Sequence, residues 1–194
     1  MTRTTKKSAL FAMLLGSALF YAQAASATRV YATIDGITLG QLKGDVVRKG
    51  LEGKTEVLSY EYSLKAPTVA STARATKREH GSVRITKVMG PASPQLFQAL
   101  INNELLKSVV IDFVNVSTTT GQEFLASQVR LSNARVVSID QVTEGGESTA
   151  TSAKHAVTEG ARILEVIAFS FDKIEITSHE GKTSATDSMS APSP

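Results

Sequence analysis

The chain has 194 residues, no cysteine and a formal net charge of +3. Without cysteine it forms neither disulfides nor thiolate metal sites. The three excess charges are Arg3, Lys6 and Lys7, so the chain beyond the N-terminal segment balances 18 basic against 18 acidic side chains. The basic excess therefore gives no support for nucleic-acid binding, and the neutral remainder removes one barrier to self-association.

Residues 1–24 are predicted to be a secretory signal peptide. An apolar run from Ala9 to Ala22 follows the basic residues, and the small residues after it allow cleavage after Ala24 or Ala27. The run of about fourteen residues is shorter than the ~20 that a membrane-spanning helix needs. We therefore expect export across the inner membrane into the periplasm or the medium, with no other membrane association. An uncleaved tether and a misassigned start codon are the alternatives.

Two strands separated by a loop are predicted in the next part of the chain. Residues 28–37 form the first strand, which ends at a turn. Residues 39–54 contain four glycines spaced too closely for a stable helix, and are predicted to be a loop. Residues 54–64 alternate as a half-buried strand does, which places one set of large side chains on the core face: Leu58, Tyr60, Tyr62 and Leu64. Inward-facing tyrosines also argue against binding of single-stranded nucleic acid.

Residues 65–81 have no apolar period and are predicted to be a long loop that ends in charged residues. Loops of this length inside a domain are usually functional or disordered. Residues 83–89 form the next strand. A helix then begins at Ser93 and Pro94, a favourable order for a helix start in which the Ser93 side chain caps a free N–H. An apolar stripe follows at helical spacing, formed by Leu96, Phe97, Leu100 and Ile101.

The segment after the helix is predicted to contain further strands, over residues 108–116, 122–131, 135–142 and 162–177. Residues 117–121 form a hairpin loop between the first two, and Asn133 with Ala134 separates the second from the third. In the last segment the apolar face changes phase, so it is either one long strand or two strands with a bulge. Residues 178–194 are rich in Ser, Thr and Pro and are predicted to be a disordered tail.

About eight short strands and one helix predict an all-β domain over residues 28–177, a small β-barrel with a helix packed outside it or over one end. The order and spacing of several segments resemble the haemolysin-coregulated protein (Hcp) family, the tube subunits of bacterial type VI secretion systems. These segments are EVLSY at 56–60, ITK at 85–87, ASPQLFQAL at 92–100, LSNARVVSI at 131–139 and FSFDKIEI at 169–176.

The resemblance implies a structural, ring-forming protein. Members of the family close into six-membered rings that stack as a tube, and the tube carries small effectors. The resemblance therefore implies that the chain binds further copies of itself, and that sheath, spike and effector proteins are its other partners. In the family a long loop at this place reaches a neighbouring subunit, which assigns that contact to Pro67, Arg74, Lys77, Arg78 and His80. The alternative for the loop is a mobile, solvated segment. The leader departs from the family, whose members normally load from the cytoplasm.

No catalytic motif, cofactor or metal site is recognised in the sequence, and the chain is predicted not to be an enzyme. Three isolated histidines, His80, His155 and His179, are expected to be solvated. Asp112 and Asp172 are expected to face solvent or a ring neighbour. Besides the tube subunit, two other function classes stay open: an exported binding or adhesion module that reuses the fold without forming tubes, and a hydrolase or lectin.

Overall fold

The structure is a computed structural model that describes residues 28–66, 78–144 and 162–189. The predicted signal peptide lies outside these ranges. Three of the predicted loop residues, Pro67, Arg74 and Lys77, also lie outside them, as does His155. Among the described residues there is no helix with the length and hydropathy that crossing a membrane requires.

The described residues form twelve strands and one helix. In chain order these are β1 (Arg29–Gly36), β2 (Gly40–Gln41), β3 (Thr55–Val57), β4 (Ser59–Glu61), β5 (Leu64–Lys65), β6 (Glu79–His80), β7 (Val83–Val88), α1 (Ser93–Ile101), β8 (Leu106–Val116), β9 (Glu123–Glu144), β10 (Arg162–Ser170), β11 (Lys173–Ser178) and β12 (Thr183–Ser188). The expectation of an all-β fold with one short helix is confirmed.

The main sheet follows the order β2-β1-β8-β9-β10-β7-β4, with β11 and β12 continuing from β9. Its two ends meet at residues 55–61, because β3 pairs with β1 while β4 pairs with β7. The chain changes partner at Leu58, so the sheet is barrel-like without being one uninterrupted closed ladder. Buried apolar side chains from both ends of the sheet and from α1 share a single core.

The partner change at Leu58 corrects the predicted face of this segment. Val57 is buried, whereas Leu58 is 44% and Leu64 is 50% exposed. Tyr60 and Tyr62 do pack against the core, as expected. The prediction was wrong for Leu58 because a break between β3 and β4 shifts the alternation by one residue, and such a shift moves a side chain to the opposite face. Leu64 is exposed for a different reason, because it lies in β5, outside the main sheet.

Helix α1 is present as predicted, but its apolar stripe is not fully buried. Leu96 and Ala99 contact the core, whereas Phe97 is 58% and Ile101 is 63% exposed. Only one narrow row of side chains faces the sheet, and the second apolar row remains on the outer side. The predicted capping role of Ser93 is also wrong, because no side chain caps the helix and Ser93 is buried in its first turn.

Strand β9 runs without interruption through the predicted break at Asn133. Asn133 has a φ of 51°, a left-handed conformation that asparagine tolerates better than most residues. The strand changes partner there, because β9 pairs with β11 up to Ser132 and with β10 from Arg135. The last predicted strand is accordingly two strands, β10 and β11, with Phe171 and Asp172 between them.

The prediction of a disordered tail from residue 178 is wrong for residues 183–188. These residues form β12, which pairs with β11 from Lys173↔Ser188 to Ser178↔Thr183. An edge strand needs backbone hydrogen bonds on one side only and leaves its side chains in water, so polar composition does not prevent it. The β11–β12 hairpin therefore carries the described chain beyond the predicted domain boundary at residue 177.

Candidate functional site

The base of the long loop is a short hairpin that stands apart from the main sheet. Strands β5 and β6 form their own two-stranded sheet, with Leu64 opposite His80 and Lys65 opposite Glu79. The N–H of Gly81 donates to the carbonyl oxygen of Ser63 at 2.9 Å. These contacts hold the two arms of the loop together, but a ladder of two residue pairs is marginal alone.

His80 is enclosed within the chain, with 5% of its side chain exposed. Its Nδ1 lies 2.7 Å from the hydroxyl of Tyr62, and its Nε2 lies 3.1 Å from Oδ2 of Asp187. Because an ionised carboxylate only accepts hydrogen bonds, Nε2 of His80 is the donor to Asp187. The expectation that His80 is solvated is wrong, since β12 covers it; His179 is exposed, as expected.

Asp187 also binds Arg78 through both carboxylate oxygens. The Arg78 Nη2 donates to Oδ1 at 2.9 Å, and Nε lies 2.8 Å from Oδ2. This two-point geometry is the strongest form of an arginine–carboxylate contact. The hydrogen bond from Arg78, followed by the backbone N–H of Ser188 and by His80, holds the pKa of Asp187 below its usual range. The carboxylate is therefore ionised where it joins the two residues.

An aromatic cluster lies beneath these polar contacts. The ring centroid of Phe171 is 6.2 Å from that of Tyr62 and 5.9 Å from that of His80, both edge-on. Burial, together with the charge of Asp187, raises the pKa of Tyr62, so its hydroxyl stays protonated beside His80. A gap of about 100 Å³ separates the hairpin from β11 and β12. The loop base thus rests on the C-terminal hairpin through side chains.

A second polar cluster is buried where α1 crosses the sheet. Lys87 on β7 and Glu165 on β10 are 1% and 2% exposed, and Nζ of Lys87 lies 2.9 Å from Oε2 of Glu165. Nζ also donates to the carbonyl of Val88 at 2.7 Å and to Oγ of Ser93 at 2.8 Å. The Ser93 hydroxyl donates to Oε2 of Glu165, and Gln141 donates to Oε1 at 2.9 Å.

Every polar group of this cluster has a partner, so its role is structural. Burial alone would raise the pKa of Glu165, but the hydrogen bonds from Ser93, Lys87 and Gln141 and the charge of Lys87 outweigh it and lower that pKa. The ion pair is thereby maintained inside the protein and ties α1 to β7 and β10. One feature of the sequence indicates this buried ion pair. Lys87 follows the same alternation as Val83 and Ile85, which predicts that its charged side chain faces inward.

An open cleft of about 460 Å³ lies between residues 48–54 and the β8–β9 hairpin. Asp112 is buried in its wall and accepts from Lys54 at 2.6 Å and from Gln128 at 2.8 Å. Arg48 binds both carboxylate oxygens of Glu123, at 2.7 and 2.6 Å. The expectation that Asp112 faces solvent or a neighbour is wrong, because Lys54 covers it. Four charged side chains of the cleft wall are thus paired within the chain, Arg48 with Glu123 and Lys54 with Asp112.

The described residues contain no group of three or more metal-ligating side chains. In the same part of the chain no buried side-chain nitrogen or oxygen lacks a hydrogen-bond partner. Of the five loop residues singled out by resemblance, the structure brings together Arg78 and His80. It adds Asp187, which the sequence did not single out because it lies in a polar segment more than 100 residues away.

The sequence matches known proteins over most of its length. The family described as "Type VI secretion system effector, Hcp" matches residues 31–177. The "Major exported protein" of Pseudomonas aeruginosa is 29% identical over 176 residues, which cover 86% of this chain and 98% of that protein. Both matches therefore include nearly all of the described core.

Solved structures show the same fold. The Hcp1 protein of E. coli EAEC 042 has a TM-score of 0.68 at 26% identity, covering 84% of this chain and 99% of that one. The secreted protein Hcp3 of Pseudomonas aeruginosa has a TM-score of 0.65 at 25% identity, covering 85% of this chain and all of that one. With the family match over residues 31–177, these likenesses show that the chain belongs to the Hcp family of type VI secretion proteins.

Proposed function

We propose that the chain is a tube subunit: six copies close into a ring, rings stack, and the lumen carries small effector proteins. Membership in the Hcp family makes it a secreted protein of type VI systems. The observation that supports ring formation is the loop base, which leaves the body at Ala66 and returns at Arg78 and is held there by Asp187. A loop with a fixed base is suited to contact a neighbouring subunit.

Exposed apolar side chains support a self-associating surface. Met89, Phe97 and Ile101 are 48%, 58% and 63% exposed, and large apolar side chains on a surface mark interaction sites when they cluster. Met89 and Phe97 line one shallow groove beside α1. A ring requires two different faces of each copy to meet. The loop and this groove are two separate faces that such contacts can use, and sheath or spike proteins are further partners of the assembled tube.

The oligomeric state of residues 28–194 tests the proposal. We expect light scattering after size exclusion to give a hexamer that persists on dilution. Replacing residues 67–77 by Asn-Gly retains the β5–β6 pair and closes it with a two-residue hairpin turn, and should give a folded monomer. The matched control replaces residues 145–161 by Asn-Gly, because Glu144 and Arg162 are paired; this variant should remain hexameric.

Each outcome has a distinct meaning. A parent protein that is monomeric at all concentrations overturns the tube proposal. It would favour the second candidate, an exported binding or adhesion module, which the predicted leader supports because tube subunits of the family normally load from the cytoplasm. A loop-shortened variant that still forms hexamers removes the loop from the interface. Circular dichroism of both variants checks that the β fold is retained.

We also propose that residues 1–24 direct export and are removed. The basic segment, apolar run and small residues follow the order that a signal peptidase recognises. The intact mass of the protein from the periplasm and from the culture medium tests this. We expect the mass of a chain that begins after Ala24 or Ala27. The mass of a chain that still contains residues 1–24 in both fractions would overturn the proposal.

A further inference from the structure

We propose that Asp187 in β12 is the positioning residue of the long loop. It sets the direction in which the chain leaves the body at Ala66 and returns at Arg78, and so controls whether a second copy of the chain can bind. The inference rests on the proposed function for its consequence in assembly. Its structural basis lies entirely within the described residues.

The loop base depends on side chains for its position. In the described residues β5 and β6 pair with each other and are not hydrogen-bonded into the ten-stranded sheet. The N–H of Gly81 bonds to Ser63, which closes the hairpin on itself without joining it to the body. A hairpin attached in this way pivots about the short segments that connect it to β4 and β7. Contacts from its side chains to the body must therefore fix its angle.

Asp187 makes those contacts from a fixed point. Its backbone lies in the β11–β12 ladder opposite Ile174, and β11 pairs in turn with β9. Its carboxylate receives Arg78 on both oxygens and His80 on one. The Asp187 side chain thus connects the β11–β12 hairpin to the base of the loop. Because Arg78 and His80 lie on the returning arm of the loop, the carboxylate fixes that arm relative to the sheet.

Asp187 lies outside the part of the chain that the family model matches, whereas Arg78 and His80 lie inside it. The match ends at residue 177, whereas β12 spans Thr183–Ser188. The position of Asp187 follows from the pairing of β12 with β11.

The test compares Asp187→Asn with a matched surface variant, Asp140→Asn, in residues 28–194. Asp140 is 62% exposed and lies 3.9 Å from its cationic neighbour Arg84. In Asp187→Asn we expect amide exchange at residues 62–66 and 78–82 to rise about tenfold or more, since a charge-assisted contact is lost. The ring nitrogen shifts of His80 should change, and the hexamer should dissociate at about tenfold higher protein concentration. Asp140→Asn should change none of these.

Two further variants keep the inference open to refutation. Asp187→Glu retains the charge and should recover part of the exchange protection. If Asp187→Asn fails to fold, Arg78→Lys can replace it, because Arg78 is exposed and the substitution removes its two-point contact with Asp187. Amide exchange at the loop base is then compared in the same way. Unchanged exchange at the loop base in these variants overturns the positioning role. Increased exchange with an unaffected hexamer overturns the role in assembly. A monomeric parent protein overturns the proposed function instead, and the exchange comparison still decides the positioning role.

Discussion

Replacing Lys87 by methionine should strongly destabilise the domain. The substitution removes the charge but keeps most of the apolar volume, so it leaves the carboxylate of Glu165 with two neutral donors, Ser93 and Gln141. Glu165 is 2% exposed, and breaking a buried ion pair on one side typically costs about 3–5 kcal/mol. At roughly 2–4 °C per kcal/mol for a domain of this size, the melting temperature should fall by about 6–20 °C.

The pH dependence of the variant gives a second measurement with a definite sign. In the parent protein the lowered pKa of Glu165 adds stability that is present above its unfolded pKa of about 4.3 and is lost as the pH falls through the folded value. In Lys87→Met we expect the hydrogen bonds from Ser93 and Gln141 alone not to outweigh burial, so the folded pKa should rise above the unfolded value. The variant should then lose stability as the pH rises, and its deficit should be larger at pH 8 than at pH 5.

Urea unfolding followed by circular dichroism measures these changes, with protein concentration held constant because assembly also stabilises the fold. The control is the double variant Lys87→Met with Glu165→Met, in which no buried charge is left unpaired. It should be more stable than Lys87→Met alone, since replacing a whole buried pair is often neutral. If the double variant is no more stable than the single one, or if Lys87→Met costs less than about 1 kcal/mol, the coupling inferred from the geometry is wrong.

Three further predictions concern backbone geometry and a buried carboxylate. Gly44→Ala should cost about 3 kcal/mol in urea unfolding, because its Cβ would lie 2.0 Å from the carbonyl oxygen of Lys54. Asn133→Gly should be nearly neutral and Asn133→Val should cost about 1–2 kcal/mol, since the φ there is 51°. The hydrogen bond from the Thr38 N–H lowers the pKa of Glu104 in the folded protein. The ionised Glu104 side chain therefore stabilises the fold fully above its unfolded pKa, and this contribution is lost as the pH falls through the lower folded pKa. Glu104→Gln should remove this pH dependence of the free energy of unfolding.

Local patterns predicted the elements better than they predicted their partners. The alternation in β7 and the hairpin between β8 and β9 were placed correctly, because each depends on neighbouring residues. Leu58 shows the limit: its apolar side chain continues a regular alternation, so nothing in the pattern marks the change of strand partner. In the helix, spacing alone could not decide whether Leu96 with Ala99 or Phe97 with Ile101 faces the sheet.

The candidate site was predictable only in part, for the same reason. Arg78 and His80 were singled out through the family resemblance. Asp187 was missed because its partners lie 109 and 107 residues earlier and its own segment has the composition of a disordered tail. The partner of Lys87 is likewise 78 residues away. Long-range pairing of charges depends on the completed fold, which no local pattern encodes.

The pairing of β1 with β8 and of β7 with β10 has a consequence for folding on the ribosome. Arg29 lies opposite Val114, and Val83 lies opposite Phe169, so β1 and β7 each lack one of their two sheet neighbours until much later residues are synthesised. Sheets that depend on such distant contacts form slowly. The sheet is therefore incomplete until its last strands are synthesised, and this order suits the export that we propose for residues 1–24.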